Sequence, residues 1–190
     1  MIEIRWHGRG GQGSFTASKL LGSAVTLYGS KHALAFPSFG PERRGAPMQA
    51  FTKIDDVRIR DRSEITRCDY IVVLDETLYR QELLSDLKED GKLILNASRP
   101  EKYQEQGGSR IIALDATSVA LEILNRPITN TAMLGALIGV SGITGVESVL
   151  EGMSHFLKGS LLDKNRQVVS RIYDEARRLQ DEPTRIAQIR

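Results

Sequence analysis

Residues 2–13 read Ile2-Glu3-Ile4-Arg5-Trp6-His7-Gly8-Arg9-Gly10-Gly11-Gln12-Gly13. Ile2, Ile4 and Trp6 alternate with Glu3 and Arg5, the period of a strand with one buried face. Gly8 to Gly13 then form a tight loop. Beyond it Phe15, Ala17, Leu20, Leu21, Ala24 and Leu27 recur at helical spacing, and Gly29 supplies a stop. The chain therefore opens as strand, glycine loop and helix.

The same alternation continues downstream. His32 to Phe36 predicts a second strand ended by Pro37, and Pro37 to Pro47 reads as a loop. Met48 to Ile54 predicts a strand, with Val57 to Ile59 pairing to it as a hairpin across Asp55-Asp56. Tyr70 to Leu74 is a continuous apolar run, as in a strand covered on both faces. A helix from about Glu76 to Leu87 is expected next, then a strand at Lys92 to Leu95. After a loop at Gly107-Gly108, Arg110 to Leu114 reads as a strand and Thr117 to Leu124 as a short helix. Thr131 to Val140 is apolar on nearly all sides, which predicts a buried helix. Val146 to Met153 and the amphipathic Asn165 to Leu179 are two more. The expectation is an α/β fold: a Rossmann-like, open, mostly parallel sheet flanked by helices, with a β-hairpin insertion. One domain over residues 1–180 and a C-terminal tail over 181–190 account for the length.

Composition narrows the function. A net charge of +2, with bases scattered among acids, is too mild for a nucleic-acid binder. The one cysteine, Cys68, excludes an intramolecular disulfide and an all-cysteine iron–sulfur or zinc site within this chain. Cys68 precedes an apolar strand and reads as a buried structural thiol. The first residues show no basic-then-apolar signal pattern, and no apolar run approaches the roughly 20 residues that span a bilayer. The expected location is the cytoplasm, with no membrane partner.

Gly8-x-Gly10-x-x-Gly13 has dinucleotide-binding spacing between a strand and a helix, where backbone N–H groups and a helix N-terminus favour phosphate. A nicotinamide site also wants an acid roughly 20 positions on, at the end of the second strand. Here that strand ends at Ala35-Phe36-Pro37, and the first acid nearby is Glu42. The loop also lacks the Gly-Lys-Ser/Thr ending of a triphosphate site. Two readings stay open, a phosphate cradle and a ligand-free tight turn. Pro37 to Pro47 belongs at the carboxyl edge beside the glycine loop, where Arg43 and Arg44 suit phosphate or carboxylate. The alternative is a rigid loop at a subunit contact, shaped by Glu42. His7 reads as a satisfied structural histidine, and Asp75 as either a site residue or a helix cap. No catalytic set emerges.

Two stretches carry a resemblance: Ile4 to Gly13, and Phe36-Pro37-Ser38-Phe39-Gly40-Pro41-Glu42-Arg43-Arg44-Gly45-Ala46-Pro47. Both resemble the gamma subunit of pyruvate (or 2-ketoisovalerate) ferredoxin oxidoreductase. Asn130-Thr131-Ala132-Met133-Leu134-Gly135 is similar to a third family segment, and the likeness extends to about Gly159. It implies thiamine diphosphate-dependent oxidative decarboxylation of a 2-oxoacid to an acyl-coenzyme A, with electrons passing through iron–sulfur clusters to ferredoxin. Thiamine diphosphate and the clusters are implied in partner subunits of alpha, beta and delta type. This chain is implied to help bind or enclose coenzyme A, through Gly8, Gly10, Gly11, Gln12 and Gly13 or through Ser38, Gly40, Glu42, Arg43, Arg44 and Gly45. The Pro-Ser-Phe-Gly-Pro-Glu form leans toward pyruvate. Where the family often has Gly-Gly, this chain has Gly45-Ala46, which touches only local backbone shape. Isolated chains are expected to self-associate through bared surfaces. The competing readings are a stand-alone NAD-dependent Rossmann oxidoreductase and a purely structural subunit.

Overall fold

The structure, a computed structural model, describes residues 1–38 and 44–187, the last six of these by backbone alone. The strands are β1 (Ile2–Arg9), β2 (His32–Pro37), β3 (Pro47–Asp55), β4 (Cys68–Val73), β5 (Leu87–Asn96) and β6 (Ile111–Leu114). The helices are α1 (Ser14–Leu27), α2 (Pro100–Gly107), α3 (Ala116–Leu124), α4 (Asn130–Ser141), α5 (Val146–Gly152) and α6 (Gly159–Ala187). One sheet holds all six strands in the order β2-β3-β1-β4-β5-β6. β1, β4, β5 and β6 run parallel, while β3 is antiparallel to both β1 and β2.

Residue alternation sorts the two faces. Ile4 and Trp6 of β1, with Val72 and Ile94, pack under α1, α4 and α6 in the larger core. Ile71, Val73, Leu93 and Leu95 face the other way, into a second core closed by Tyr103 of α2, Leu83 and Ile65. The unalternated apolar runs of β4 and β5 thus serve both faces, as expected of parallel strands.

The apolar 131–140 segment is a buried helix, α4, and its polar-free surface has a cause. Gly135 and Gly139 lie one turn apart on the side facing α6. A Cβ at Gly135 would stand 2.6 Å from the Val169 carbonyl oxygen, and one at Gly139 2.6 Å from that of Tyr173. The two glycines let the helix backbones touch. At the near end Thr131 Oγ1 donates to Asn165 Oδ1 at 2.7 Å, satisfying the one polar pair there.

The structure corrects several sequence expectations. The hairpin is formed by β2 and β3, not across Asp55-Asp56. β3 already has a partner on each edge, so Val57 to Ile59 has no strand to join. Residues 56–67 instead leave the sheet as coil beneath it. The expected helix at Glu76 to Leu87 is two 3₁₀ turns, Glu76–Leu78 and Gln81–Asp86, separated by extended Tyr79 and Arg80. Tyr79 meets Tyr103 edge-on at 5.2 Å, a docking that outweighs the helical periodicity. α2 went unread although Pro100 and Glu101 mark its start. α6 begins at Gly159 rather than Asn165 and runs past Asp181.

Replacing Gly135 with alanine should destabilise the chain by about 1–3 kcal/mol, despite alanine's better helix propensity. The check is the denaturant midpoint, with an unchanged or higher midpoint counting against close α4–α6 contact.

Candidate functional site

α1 carries the chain from β1 to β2 on one side, and β4 lies on the other side of β1. The carboxyl ends of β1 and β4 therefore flank the sheet's topological switch point, where open α/β sheets place ligands. The glycine loop follows β1 there. β1 itself runs through Gly8 and Arg9, so the turn proper is Gly10 to Gly13. Gly11 (φ 96°) and Gly13 (φ 85°) need glycine. Gly8 needs it for space, since a Cβ would lie 2.1 Å from the buried Ser14 Oγ. Gly13 caps α1 with no side-chain bond and no acid in the first turn. The helix thus presents its N–H groups and positive end at the turn.

The returning half of the second loop is seated on this turn. Gly10 N donates to Ala46 O at 2.8 Å, and Gly45 N donates to Gly10 O at 2.9 Å. Arg44 forms a parallel bridge to Gly10, and its Cγ lies 4.0 Å from the point a Gly11 Cβ would occupy. Gly45 has φ 80°, while Ala46 keeps ordinary backbone, so its methyl group adds no strain. Ser38 lies at the far end of the loop, its N–H donating to Gln49 O at 2.9 Å. Gly40, Glu42 and Arg43 lie outside the described residues.

Arg9, a variable position of the glycine motif, ties three loops together. Its Nε donates to Asp75 Oδ2 at 3.0 Å, Nη1 to Gly45 O at 3.1 Å and Nη2 to Thr77 Oγ1 at 2.8 Å. Gln12 bridges the same groups: Oε1 accepts from Arg9 N at 2.7 Å, and Nε2 donates to Asp75 Oδ2 at 3.0 Å. Asp75 Oδ1 accepts from Thr77 N and Thr77 Oγ1, so the residue is both a cap and a site anchor. Burial alone would raise the Asp75 pKa, but the Thr77 and Gln12 hydrogen bonds and the Arg9 charge outweigh it and hold it below the usual carboxylate range.

Asn130 completes the turn from behind. Its side chain packs against Gly13, where an added Cβ would stand 2.6 Å from Nδ2. The Asn130 segment read from sequence therefore has two jobs, closing on Gly13 at one end and on α6 at the other. Sequence reasoning passed over Arg9 and Asn130 as site residues, because neither lies at a motif position that carries chemistry by itself.

His7 is buried at 7% exposure. Its Nε2 accepts from Arg5 Nε at 3.0 Å. Burial, reinforced by the Arg5 charge, lowers its pKa to about 4, so the ring is neutral at physiological pH. Cys68 is buried, and burial pushes its thiol up to about 12. His155 pairs with the Tyr28 hydroxyl at 3.1 Å, away from this edge. Among the described residues no group of three or more acids, cysteines and histidines is arranged to hold a metal, and no helix is long and apolar enough to cross a membrane.

The arrangement is a rigid, donor-rich edge suited to an anion. A nicotinamide reading loses its second half structurally as well: the strand beside β1 is antiparallel β3, not the parallel β2 whose end would hold ribose.

Residues 3–175 match the family model described as pyruvate ferredoxin/flavodoxin oxidoreductase. The pyruvate synthase subunit PorC of Methanothermobacter thermautotrophicus is 45% identical over 181 residues, 94% of this chain and 98% of that protein. The pyruvate/ketoisovalerate oxidoreductases common subunit gamma of Thermococcus kodakarensis is 44% identical, covering 92% and 97%. The crystal structure of the pyruvate oxidoreductase subunit PORC of Thermotoga maritima superposes with a TM-score of 0.79 at 37% identity, over 91% of this chain and 95% of that one.

Two outcomes follow from this geometry. Asp75→Asn turns an acceptor shared by two donors into a poorer one. It should speed amide hydrogen exchange at Gly10 and Gly45 by about tenfold, the worth of one charge-assisted bond. Wild-type loop protection should also fall as acid protonates Asp75 below the ordinary aspartate range, and the variant should lack that step. For Cys68, alkylation with iodoacetamide at around pH 8, where an ordinary thiol reacts, should be absent by mass spectrometry until denaturant is added.

Proposed function

Because this chain belongs to the pyruvate ferredoxin/flavodoxin oxidoreductase family, as the gamma subunit of a 2-oxoacid:ferredoxin oxidoreductase, we propose that its carboxyl edge holds coenzyme A for the assembled enzyme. The observation that carries the proposal is the seating of the second loop on the glycine turn. Gly10 exchanges backbone bonds with Gly45 and Ala46, which brings the Arg44 backbone beside the amides at the start of α1. Backbone N–H groups, a helix N-terminus and guanidinium groups together are the standard reception for a diphosphate.

In this reading the chain contributes binding and orientation. Its lone buried thiol does not fit an iron–sulfur cluster, which needs four ligands. Thiamine diphosphate and the clusters are assigned to alpha-, beta- and delta-type partners, with ferredoxin as the electron acceptor and the cytoplasm as the place of action. When bound there, thiamine diphosphate supplies the carbanion chemistry that releases carbon dioxide. Pyruvate is the favoured 2-oxoacid, in line with the Pro37 to Glu42 sequence and with the names of two of the relatives above.

Alanine at both Arg43 and Arg44 in the assembled enzyme should raise the KM for coenzyme A by about tenfold or more, the worth of one or two charge-assisted hydrogen bonds. The KM for the 2-oxoacid should stay unchanged. Steady-state ferredoxin reduction with each substrate varied in turn makes the comparison, and an unaltered coenzyme A requirement would sink the assignment.

A further inference from the structure

Between β3 and β4 the chain crosses the sheet face opposite α1 as a strap, and residues 58–65 run without a turn or bend. Side chains in such a run alternate sides. The odd-numbered residues hold the strap down. Ile59 is half-buried, Asp61 pairs with the buried Lys53, and Ser63 Oγ donates to Asp61 Oδ2 at 2.9 Å. Ile65 is buried in the second core, and its carbonyl accepts from Arg5 Nη1 at 3.4 Å. The even-numbered residues Arg58, Arg60, Arg62 and Glu64 are all exposed.

Arg58, Arg60 and Arg62 therefore stand in one row, about 7 Å apart at the rise of an extended chain. Other arginines on this molecule find an acid: Arg9 pairs with Asp75, Arg166 with Glu151 and Arg171 with Glu122. The three in the row have no carboxylate partner among the described residues. Asp61, the one acid between them, turns inward to Lys53, while Asp55 and Asp56 go to the amino terminus and Lys31. Like charges in a row repel one another, and a strap pinned to the sheet cannot bend to spread them. At the head of the row Val57 is 67% exposed, more than any other large hydrophobic side chain among the described residues.

Such a row fits a protein surface better than a small anion or a nucleic acid. A small anion needs donors that converge in a concave site, and these project side by side from a ridge. A nucleic acid draws on a broadly basic domain, and the net charge here is +2. An apolar side chain beside arginines is the make-up of a protein contact, where the planar guanidinium pairs with carboxylates. We infer that residues 57–62 are a docking ridge for an acidic segment on a neighbouring subunit of the same oxidoreductase. Its carboxylates would repeat at about 7 Å, as on alternate residues of an extended strand, with an apolar side chain over Val57. The relatives of this chain are named as subunits, so it has neighbours to dock on. The inference makes no use of the coenzyme A reading. Lys53, which anchors the strap, is the register partner of Glu3, roughly 20 Å along β1 from the glycine turn.

Two experiments on the assembled oxidoreductase test this. In the first, Arg58→Lys, Arg60→Lys and Arg62→Lys are combined, and the complex is treated with a water-soluble carbodiimide, which joins an amine to a carboxylate in direct contact. Mass spectrometry should find links from these positions to Asp or Glu of another subunit. Links only within this chain, to a second copy of it or to a separate electron carrier, or no links at all, would overturn the proposal. In the second, Arg58→Glu, Arg60→Glu and Arg62→Glu together should weaken retention of this chain in the complex at least about tenfold at low salt. The gap from wild type should close as NaCl approaches 1 M, where charges are screened within a few ångströms. Unchanged retention, or a loss that salt does not alter, counts against the ridge. The isolated variant should keep the wild-type denaturant midpoint, because the row faces away from the sheet. A lowered midpoint would make the arginines part of the strap's own anchorage and remove the docking role.

Discussion

β3 pairs with β1 along its whole length, from Ile2↔Ile54 to Arg9↔Pro47, and most of what is particular to this molecule depends on that intrusion. An ordinary doubly wound sheet would place the strand after α1 directly beside β1. Here β3 takes the position, and β2 is pushed to the edge. Because β3 runs antiparallel, the loop that precedes it starts from the carboxyl edge and ends there. That is why Gly45 and Ala46 can exchange backbone hydrogen bonds with Gly10. The same pairing leaves β3 with no open edge, so residues 56–67 must pass beneath the sheet.

That passage is held by charges which, in another fold, would be out of place in a sheet interior. Lys53 is 1% exposed and pairs with Asp61, while Arg5, 7% exposed, pairs with Asp86 and reaches the Ile65 carbonyl. Each cation is buried and each acid is near the surface. Removing an acid would therefore strand a buried charge, a costlier change than losing an exposed ion pair. The Asp61 pKa is lowered by hydrogen bonds from Lys53 and Ser63, so the strap holds at neutral pH and loosens only in strong acid. Arg5 has a second effect. By donating to His7 it fixes the tautomer and joins burial in keeping the ring uncharged.

The legible parts of the fold were those where one local rule decided the outcome. β1, α1, β4 and α4 each carry a long, consistent pattern, and each has the structure its pattern predicts. The two clear misreadings share a cause. Residues 76–87 have a helical spacing of apolar side chains, but Tyr79 docks on Tyr103, a residue more than twenty positions away. Val57 to Ile59 has strand-like composition, yet whether a strand forms depends on an edge being open, which is a property of the sheet order. At the site, the glycine turn was legible because φ above zero and close approach leave a signature in residue type. Arg9 and Asn130 leave none, since an arginine in a loop and an asparagine before a helix have many uses. Their roles arise from the convergence of β1, β4 and α4.

The same geometry commits the acid–base side chains described at and near this edge to their neighbours. His7 and Cys68 have the chemistry to act as base or nucleophile, and both are withdrawn from that use. The acceptor nitrogen of His7 is committed to Arg5, and its pKa lies well below the range in which it could exchange a proton with a substrate. The Cys68 thiol is buried and, at about 12, stays protonated. Asp75, bonded to Gln12 of the glycine turn, spends one oxygen on Arg9 and Gln12 and the other on Thr77. What remains at the edge is a set of donors in fixed positions. In the coenzyme A role proposed above, such a set holds and orients an anionic carrier while bond making and breaking proceed on groups supplied by other chains. A site that only binds and orients does not need to change charge near neutral pH, and the surroundings of Arg9 and His7 keep Asp75 ionised and His7 neutral there.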